Sequence, residues 1–263
     1  MNKIFIMNIV VAVFSSTNVF SQVSGISNSK VVLPATGTVA AGDFEFGPSF
    51  DVFWSNQQWN QNGKTVDLNN TNRESGLAYR FTSGFKHNIE AGLIVTEDVS
   101  SLSFGLKWLF WKNDDKSFAF QSGVNFESGN RVINETEESL KILTNGIIFT
   151  FEPSEKLSID TDATFSFYST KIDLQSVNYS GTFDIGAGYL LTSQFQAIVE
   201  LNSTWLSFEN SFYNSSKTNG TLGFTFYPND GVVVIFGVKQ DLFGSNNAKG
   251  ISFIGAFTFL MGQ

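Results

Sequence analysis

The sequence contains no cysteine, which excludes disulfide bonds and thiolate metal sites. Charged residues make up only 15% of the chain, against about 25% in an average soluble domain. No apolar run after residue 20 is long enough for a transmembrane helix, so a helical membrane protein is excluded. The net charge is -8 without any basic patch, which argues against nucleic acid as a partner. Phenylalanine (29) and glycine (23) are abundant instead, as in chains that spread apolar side chains through many strands.

The N-terminal 21 residues have the organisation of a secretory signal peptide. Lys3 supplies a basic start, residues 4–14 are mostly apolar, and small polar residues follow. We predict a signal peptide over residues 1–21; a buried N-terminal strand is the alternative. Residues 22–42 are then a periplasmic leader, ordered beneath or inside the domain that residues 43–263 form.

Strict alternation of side-chain character runs through residues 101–111, SLSFGLKWLFW. Every second residue is large and apolar, whereas Ser103, Gly105 and Lys107 occupy the other face. Such a period of two predicts a strand with two unlike faces. Simple alternation also assigns Trp111 to the face of Lys107. The pattern leaves open whether the apolar face packs in a core or contacts lipid.

The same alternation recurs from residue 43 to the end of the chain. It predicts about twelve strands, and no segment has a helical period. Short turns are predicted near His87, Asp114, Ser154, Gln194 and Asn229. Longer connections are predicted at the opposite end, with residues 56–72 as the longest loop and residues 128–138 next. Short turns at one end and longer loops at the other are typical of outer-membrane barrels.

Three features favour lipid over a protein core around the apolar face. Segments of 9–14 residues suit tilted membrane strands, whereas ordinary strands peak near about 5–6 residues. The opposite face is rich in Gly, Ser and Thr with isolated charges, as a lumen allows. Aromatic residues such as Trp108, Tyr189 and Trp205 fall near strand ends, where interfacial girdles occur. We therefore predict an all-β fold, a transmembrane up-and-down antiparallel β-barrel of about twelve strands; a secreted soluble β-sandwich is the alternative.

Charged and amide side chains at mid-strand are the candidate lumen-lining residues. They would either set the selectivity of a pore or pair across the lumen and keep the barrel rigid. The candidates are Glu45, Asp51, Arg80, Glu90, Lys107, Gln121, Asp160, Asp162, Asp184, Glu200 and Lys239.

Few residues suggest chemistry beyond lining a lumen. Asp160 and Asp162 share a face, but two carboxylates without a third ligand do not predict a metal site. His87, the only histidine, lies in a predicted turn, and no GxSxG elbow occurs, so no catalytic residue is predicted. Gly186 and Gly188 form a GxG without a third glycine or a following helix, which indicates barrel wall. No cofactor or metal is expected. Trp59 is a candidate solute contact in the first long loop.

Residues 33–70 resemble the start of a family of outer-membrane transporters named for the MetA pathway of phenol degradation. The shared features are Leu33-Pro34, an aromatic first strand, and an Asn-Gly-Lys followed by Asp-Leu at Asn62–Lys64 and Asp67-Leu68. The segments SFGLKWLFW and FAFQSGVNFESG resemble the third hairpin of that family. The resemblance implies an outer-membrane barrel that passes small hydrophobic or aromatic compounds, and it supplies no catalytic motif.

The function expected from these observations is passive transport of a small solute across the cell outer membrane. The partners expected are outer-membrane lipid, the barrel assembly machinery and a small-molecule solute, with the protein a monomer and both termini periplasmic. The signal segment and the FSQ junction indicate a Bacteroidota-like host. Two alternatives remain: a structural or adhesive surface barrel that transports nothing, and an outer-membrane enzyme acting on lipid.

Overall fold

The computed structural model describes residues 23, 25–27, 30–127, 140–168, 171–172 and 175–262. Strands make up almost all of this part of the chain, and the one helical element is a short 3-10 turn, Ser211–Tyr213. No helix within the described ranges is long and apolar enough to cross a membrane. The strands are β1 (Phe44–Trp59), β2 (Thr65–Phe85), β3 (Ile89–Thr96), β4 (Ser101–Asn113), β5 (Lys116–Glu127), β6 (Leu140–Ser154), β7 (Leu157–Tyr168), β8 (Lys171–Ile172), β9 (Gln175–Thr192), β10 (Phe195–Phe208), β11 (Ser215–Asn229), β12 (Val232–Ser245) and β13 (Asn247–Met261).

The strands form a closed antiparallel barrel. Neighbours along the chain pair with each other, and β13 pairs with β1 to close the sheet. β8 is a two-residue strand that pairs only with the start of β9, so the wall itself has twelve strands. The predicted fold class and strand number are confirmed. Closure leaves no strand edge exposed, which is what a wall surrounded by lipid requires.

The two faces of the wall differ as the alternation predicts. In β4 the side chains of Phe104, Leu106 and Trp108 are 40–46% exposed on the outside, whereas Lys107 is fully buried. The other strands repeat this arrangement, with large apolar residues outward and Ser, Thr, Gly or charged residues inward. The predicted orientation of SLSFGLKWLFW is therefore confirmed.

Trp111 is an exception to simple alternation. The pairing of β4 with β5 shifts register between Leu109 and Trp111, so that Phe110 is an extra residue on β4. A bulge of this kind reverses the faces of all residues beyond it. Trp111 is 43% exposed and packs on Phe118, with ring centroids 5.5 Å apart. Its assignment to the lumen face was wrong.

The predicted long loop at residues 56–72 is mostly strand. β1 continues to Trp59 and pairs with the first residues of β2, leaving a turn at residues 60–64. The Asn60 side chain accepts hydrogen bonds from the backbone N–H groups of Asn62 and Lys64, and Gly63 supplies the positive φ that the turn needs. This segment is polar on both faces, so it lacks the alternation by which a strand is recognised. Residues 128–138, the second predicted loop, lie outside the described residues.

The short turns lie where the sequence predicts them. Connections at 86–88, 114–115, 155–156, 193–194 and 230–231 share one end of the barrel, which we call the turn end. His87 and Asn88 both have positive φ, as a tight hairpin turn requires. At the opposite end, the expectation of longer loops holds only in part, because Asn246 alone joins β12 to β13.

Candidate functional site

The leader, which we define as described residues between Val23 and Asp43, lies inside the barrel. Leu33 is fully buried, and Val23, Ile26 and Val39 are nearly so. Val23 and Ile26 pack with Ala119 and Ile148 of the wall. The leader therefore occupies the lumen instead of extending away from it. Its end is fixed to the wall where the Gly42 N–H donates to the Gly84 carbonyl at 3.1 Å, just before β1 begins.

The backbone of the leader approaches the wall closely at two glycines. A Cβ on Gly84 would overlap the carbonyl oxygens of Val39 and Ala40, and one on Gly92 would overlap the carbonyl of Gly25. Only glycine allows this separation, because any side chain would occupy the space of the leader. These inward glycines therefore form part of the seat on which the leader lies.

Glu90 of β3 is the first anchor of the leader. Its carboxylate accepts hydrogen bonds from the backbone N–H of Ser27 at 2.7 Å and from that of Val39 at 2.8 Å. Lys107 lies 3.2 Å from the same carboxylate and donates to the Ser27 hydroxyl at 2.8 Å and to the Ala35 carbonyl at 3.0 Å. Glu90 and Lys107 are opposite one another in the pairing of β3 with β4. This ion pair is therefore built into the wall and holds the leader at three points, Ser27, Ala35 and Val39.

Glu200 of β10 is the second anchor. It accepts hydrogen bonds from the backbone N–H groups of Val32 and Leu33, both at 3.1 Å. Lys30 of the leader binds Asp160 of β7 and donates to the Ser158 hydroxyl at 3.0 Å. The leader thus leaves β3 near Ser27, reaches β10 near Leu33 and returns to β3 at Val39.

The two anchors lie on opposite sides of the barrel. Six inter-strand steps separate β3 from β10 in either direction around the closed order. The leader therefore spans the diameter of the lumen and returns. Further contacts hold the leader on this path. The Arg80 guanidinium donates a hydrogen bond to the Ile26 carbonyl at 3.1 Å, and the backbone N–H of Thr36 donates one to the Thr150 hydroxyl at 3.1 Å.

All predicted lumen-lining residues have inward positions in the strand alternation. Arg80 pairs with Glu45 at 3.1 Å, Lys107 with Glu90, and Asp160 with Lys30. These contacts support the interpretation that charges pair inside the lumen; a role in selectivity stays a prediction. The remaining candidates on the inner face are Asp51, Gln121, Asp162, Asp184, Glu200 and Lys239.

Some residues of the site were not found from the sequence. Lys30 and Ser27 belong to the leader, whose path has no local signature. Lys217 lies 3.9 Å from Asp241 and over the ring of Phe53, 5.8 Å from its centroid. Lys217, Asn219 and Thr221 alternate along β11 and are all buried, so the period of two is the signal in the sequence that points to Lys217.

Trp59 does not lie in an open loop. It is the last residue of β1 and only 4% exposed. A Cβ on Gly244 of β12 would overlap the Trp59 ring. The amine of Lys249, on the neighbouring strand β13, lies 5.9 Å from the centroid of that ring. The expectation of a loop position was wrong because the β1–β2 hairpin extends further than its polar sequence suggests. Contact with a solute stays a prediction.

Comparison with known proteins finds similarity of fold. The sequence matches no family model, and no curated protein is significantly similar to it. The structure is similar to an outer-membrane channel from Pseudomonas putida F1, with a TM-score of 0.69 and 10% identity over 86% of this chain and 98% of the channel. It is also similar to the NanC porin, with a TM-score of 0.53 and 9% identity over 80% and 98% of the two chains. A deltaS2 mutant of the TodX monoaromatic hydrocarbon channel gives a TM-score of 0.50 and 8% identity over 90% and 96%. The chain therefore has the closed-barrel fold of outer-membrane channels and porins.

Proposed function

We propose that this protein is an outer-membrane channel for passive movement of small solutes, with the leader as its constriction. The observation that carries this proposal is the path of the leader across the lumen between Glu90 and Glu200. The narrowing is made by a segment that is separate from the wall. Its position therefore sets the cross-section available to a solute.

The wall leaves a space that its own side chains do not fill. Barrels of about eight strands are filled by inward side chains, and diameter grows with strand number. Here the inner face carries mainly Gly, Ser, Thr and Asn, and the leader occupies the centre. The similarity in fold to channels and a porin supports the same function.

The class of solute is supported by two different arguments. Resemblance to the MetA-pathway family and similarity in fold to a monoaromatic hydrocarbon channel favour hydrophobic or aromatic compounds. The polar, ion-paired inner face described above would suit small polar solutes equally well. We propose small aromatic solutes that carry a polar group, since such compounds satisfy both arguments.

The proposed location is the outer membrane, with residues 1–21 removed as a signal peptide and both termini periplasmic. The outward apolar side chains, 36–69% exposed, support contact with lipid. We propose no catalytic activity. His87 is exposed in the β2–β3 turn, where no serine and carboxylate are arranged with it among the described residues.

Conductance in planar bilayers and swelling of proteoliposomes test the proposal. We expect discrete conductance steps, and swelling in isotonic benzoate that exceeds swelling in a disaccharide of larger size. Empty liposomes and heat-denatured protein serve as controls. Absence of conductance and of swelling with every solute would contradict the proposal. The full burial of Leu33 at the centre of the leader favours the second candidate in that case, a structural surface barrel that stays closed.

A gel assay tests the barrel and its location separately. We expect the protein in the outer-membrane fraction, with faster migration of the unheated sample than of the boiled one. A protein that is soluble without detergent would contradict the proposed location.

A further inference from the structure

Asp162 of β7 and Asp184 of β9 lie directly opposite one another in the barrel wall. Both face inward, and both are fully buried. Opposite residues of antiparallel strands have Cβ atoms about 4.5–5.5 Å apart, so the two carboxylates repel one another. Two carboxyl groups are thus held side by side on the inner face of the wall.

Five other inward carboxylates of the barrel have a close partner. Glu45, Glu90, Asp160 and Asp241 each lie within 4.0 Å of a cation, and Glu200 accepts leader N–H groups. Within the described ranges, no cation lies that close to Asp162 or Asp184. Oδ2 of Asp162 and both side-chain oxygens of Asp184 lack a hydrogen bond of normal geometry. The side chain of Asn202, opposite Asp184 on β10, and the backbone N–H of Ser203 interact with Asp184 only outside that geometry. Lys239 attracts Asp184 only from a longer distance.

Gln121 is an independent sign that a ligand belongs here. From β5 it reaches across β6 and donates from Nε2 to Oδ1 of Asp162 at 2.5 Å. It is fully buried, and its Oε1 has no hydrogen-bond partner among the described residues. Gly146 of β6 makes this reach possible, because a Cβ there would lie 2.9 Å from Gln121 Nε2 and 2.7 Å from the Ala163 carbonyl oxygen. The wall thus leaves a gap through which an amide meets the carboxylate pair.

The chemistry of these groups selects a hard divalent cation. Buried charges are costly unless an opposite charge neutralises them, and two carboxylates are neutralised by one divalent ion. The oxygens without a hydrogen bond are three carboxylate oxygens and one amide oxygen. Hard cations bind such oxygens, and Ca²⁺ completes its larger, flexible shell with water. No thiol exists in the chain, and its one histidine lies in the β2–β3 turn, so softer metals are not favoured.

We propose that Asp162, Asp184 and Gln121 bind a Ca²⁺ ion on the inner wall between β7 and β9. The ion would replace the missing countercharge and join β5, β7 and β9 on the inside of the barrel. This proposal does not depend on transport, since a closed structural barrel could bind the same ion.

Calcium titration of the refolded mature protein in detergent tests the site. After treatment with EGTA, we expect a saturable heat of Ca²⁺ binding in calorimetry and a rise in the midpoint of heat-induced unfolding, read by gel migration. Asp162→Asn and Asp184→Asn should each abolish both signals. Asn keeps the shape of Asp and removes the repulsion, so these variants should fold. Asp230→Asn, in an exposed turn, is the matched control and should keep both signals.

Two outcomes would overturn the proposal. One is a wild-type protein that shows neither the heat nor the shift at millimolar Ca²⁺; the carboxylates would then share a proton instead. The other is a shift that survives in the Asp162→Asn, Asp184→Asn double variant, which would assign binding to other groups. Gln121→Met sharpens the test, because loss of the amide oxygen should weaken Ca²⁺ binding while leaving both carboxylates in place.

Discussion

The two halves of the lumen are stabilised in different ways. Near the turn end, charged residues such as Glu90, Lys107 and Glu200 hold the leader in place. In the far half, neutral side chains hydrogen-bond to one another across neighbouring strands. Thr144 and Ser166 are 2.7 Å apart there, and Asn125 accepts hydrogen bonds from Ser101 and Ser103. Charged residues also occur in that half, as the pair of Lys217 and Asp241 shows.

This difference separates two tasks of the inner face. Neighbouring strands are already joined by backbone hydrogen bonds, so short hydroxyl and amide groups are sufficient to satisfy the wall. The leader has no ladder of its own across the lumen, and its N–H groups need strong acceptors. Carboxylates supply these, because hydrogen bonds to ionised acceptors are about twice as strong as neutral ones. Charge is therefore concentrated where a separate segment has to be ordered.

Of the changes considered, deleting residues 23–39 should alter the conductance of the channel most. We expect the barrel to fold, since its closure uses only strand pairing, and single-channel conductance to rise severalfold because the constriction is gone. Planar-bilayer recording measures this change. An unchanged conductance in the deletion variant would show that the leader does not limit the pore.

Glu90→Ala should be the most destabilising single substitution in the turn half. It leaves the fully buried Lys107 without its counter-ion, which typically costs about 3–5 kcal/mol. Urea-induced unfolding followed by gel migration measures the loss. Adding Lys107→Met should restore much of it; failure of the double variant to recover would mean that the leader contacts, not the ion pair, carry the effect.

Gly84→Val should displace the leader while leaving the wall intact. The new side chain would overlap the backbone of Val39 and Ala40, so proteases should cleave the leader severalfold faster. Mass spectrometry of digested proteoliposomes detects the cleavage. Gly37→Val is the matched control, since no heavy atom lies within 4 Å of its added Cβ. Equal cleavage in the two variants would contradict the proposed seat.

Thr144→Val in the far half should have the smallest effect. It removes one hydroxyl pair with Ser166, which costs about 1 kcal/mol in unfolding free energy. Conductance should be unchanged, because the Thr144 hydroxyl pairs with Ser166 of the wall and makes no hydrogen bond to the described residues of the leader. Thr144→Ser should retain wild-type stability. A change in conductance with Thr144→Val would contradict the view that far-half residues stabilise only the wall and do not affect the leader.

The sequence predicts the wall well and the interior less well. The period of two identifies the strands and assigns Lys107, Asp160 and Glu200 to the inside. It fails at Trp111, where one extra residue reverses the faces, and at residues 56–72, where both faces are polar. Both failures have the same cause. Neighbouring strands stay paired through their backbones even where the side chains do not alternate, either across an extra residue, as before Trp111, or in a segment that is polar on both faces.

The sequence by itself determined that the chain forms a barrel wall with an apolar outside and a small, polar inside, because this pattern is local and repeats in each strand. Only the tertiary structure decided which charges meet. Asp160 and Asp162 are two residues apart and share a face, yet Asp160 binds Lys30 of the leader while Asp162 is opposite Asp184. Those partners depend on strand register and on the path of the leader. Both are set by contacts between residues distant in sequence, which no local period encodes.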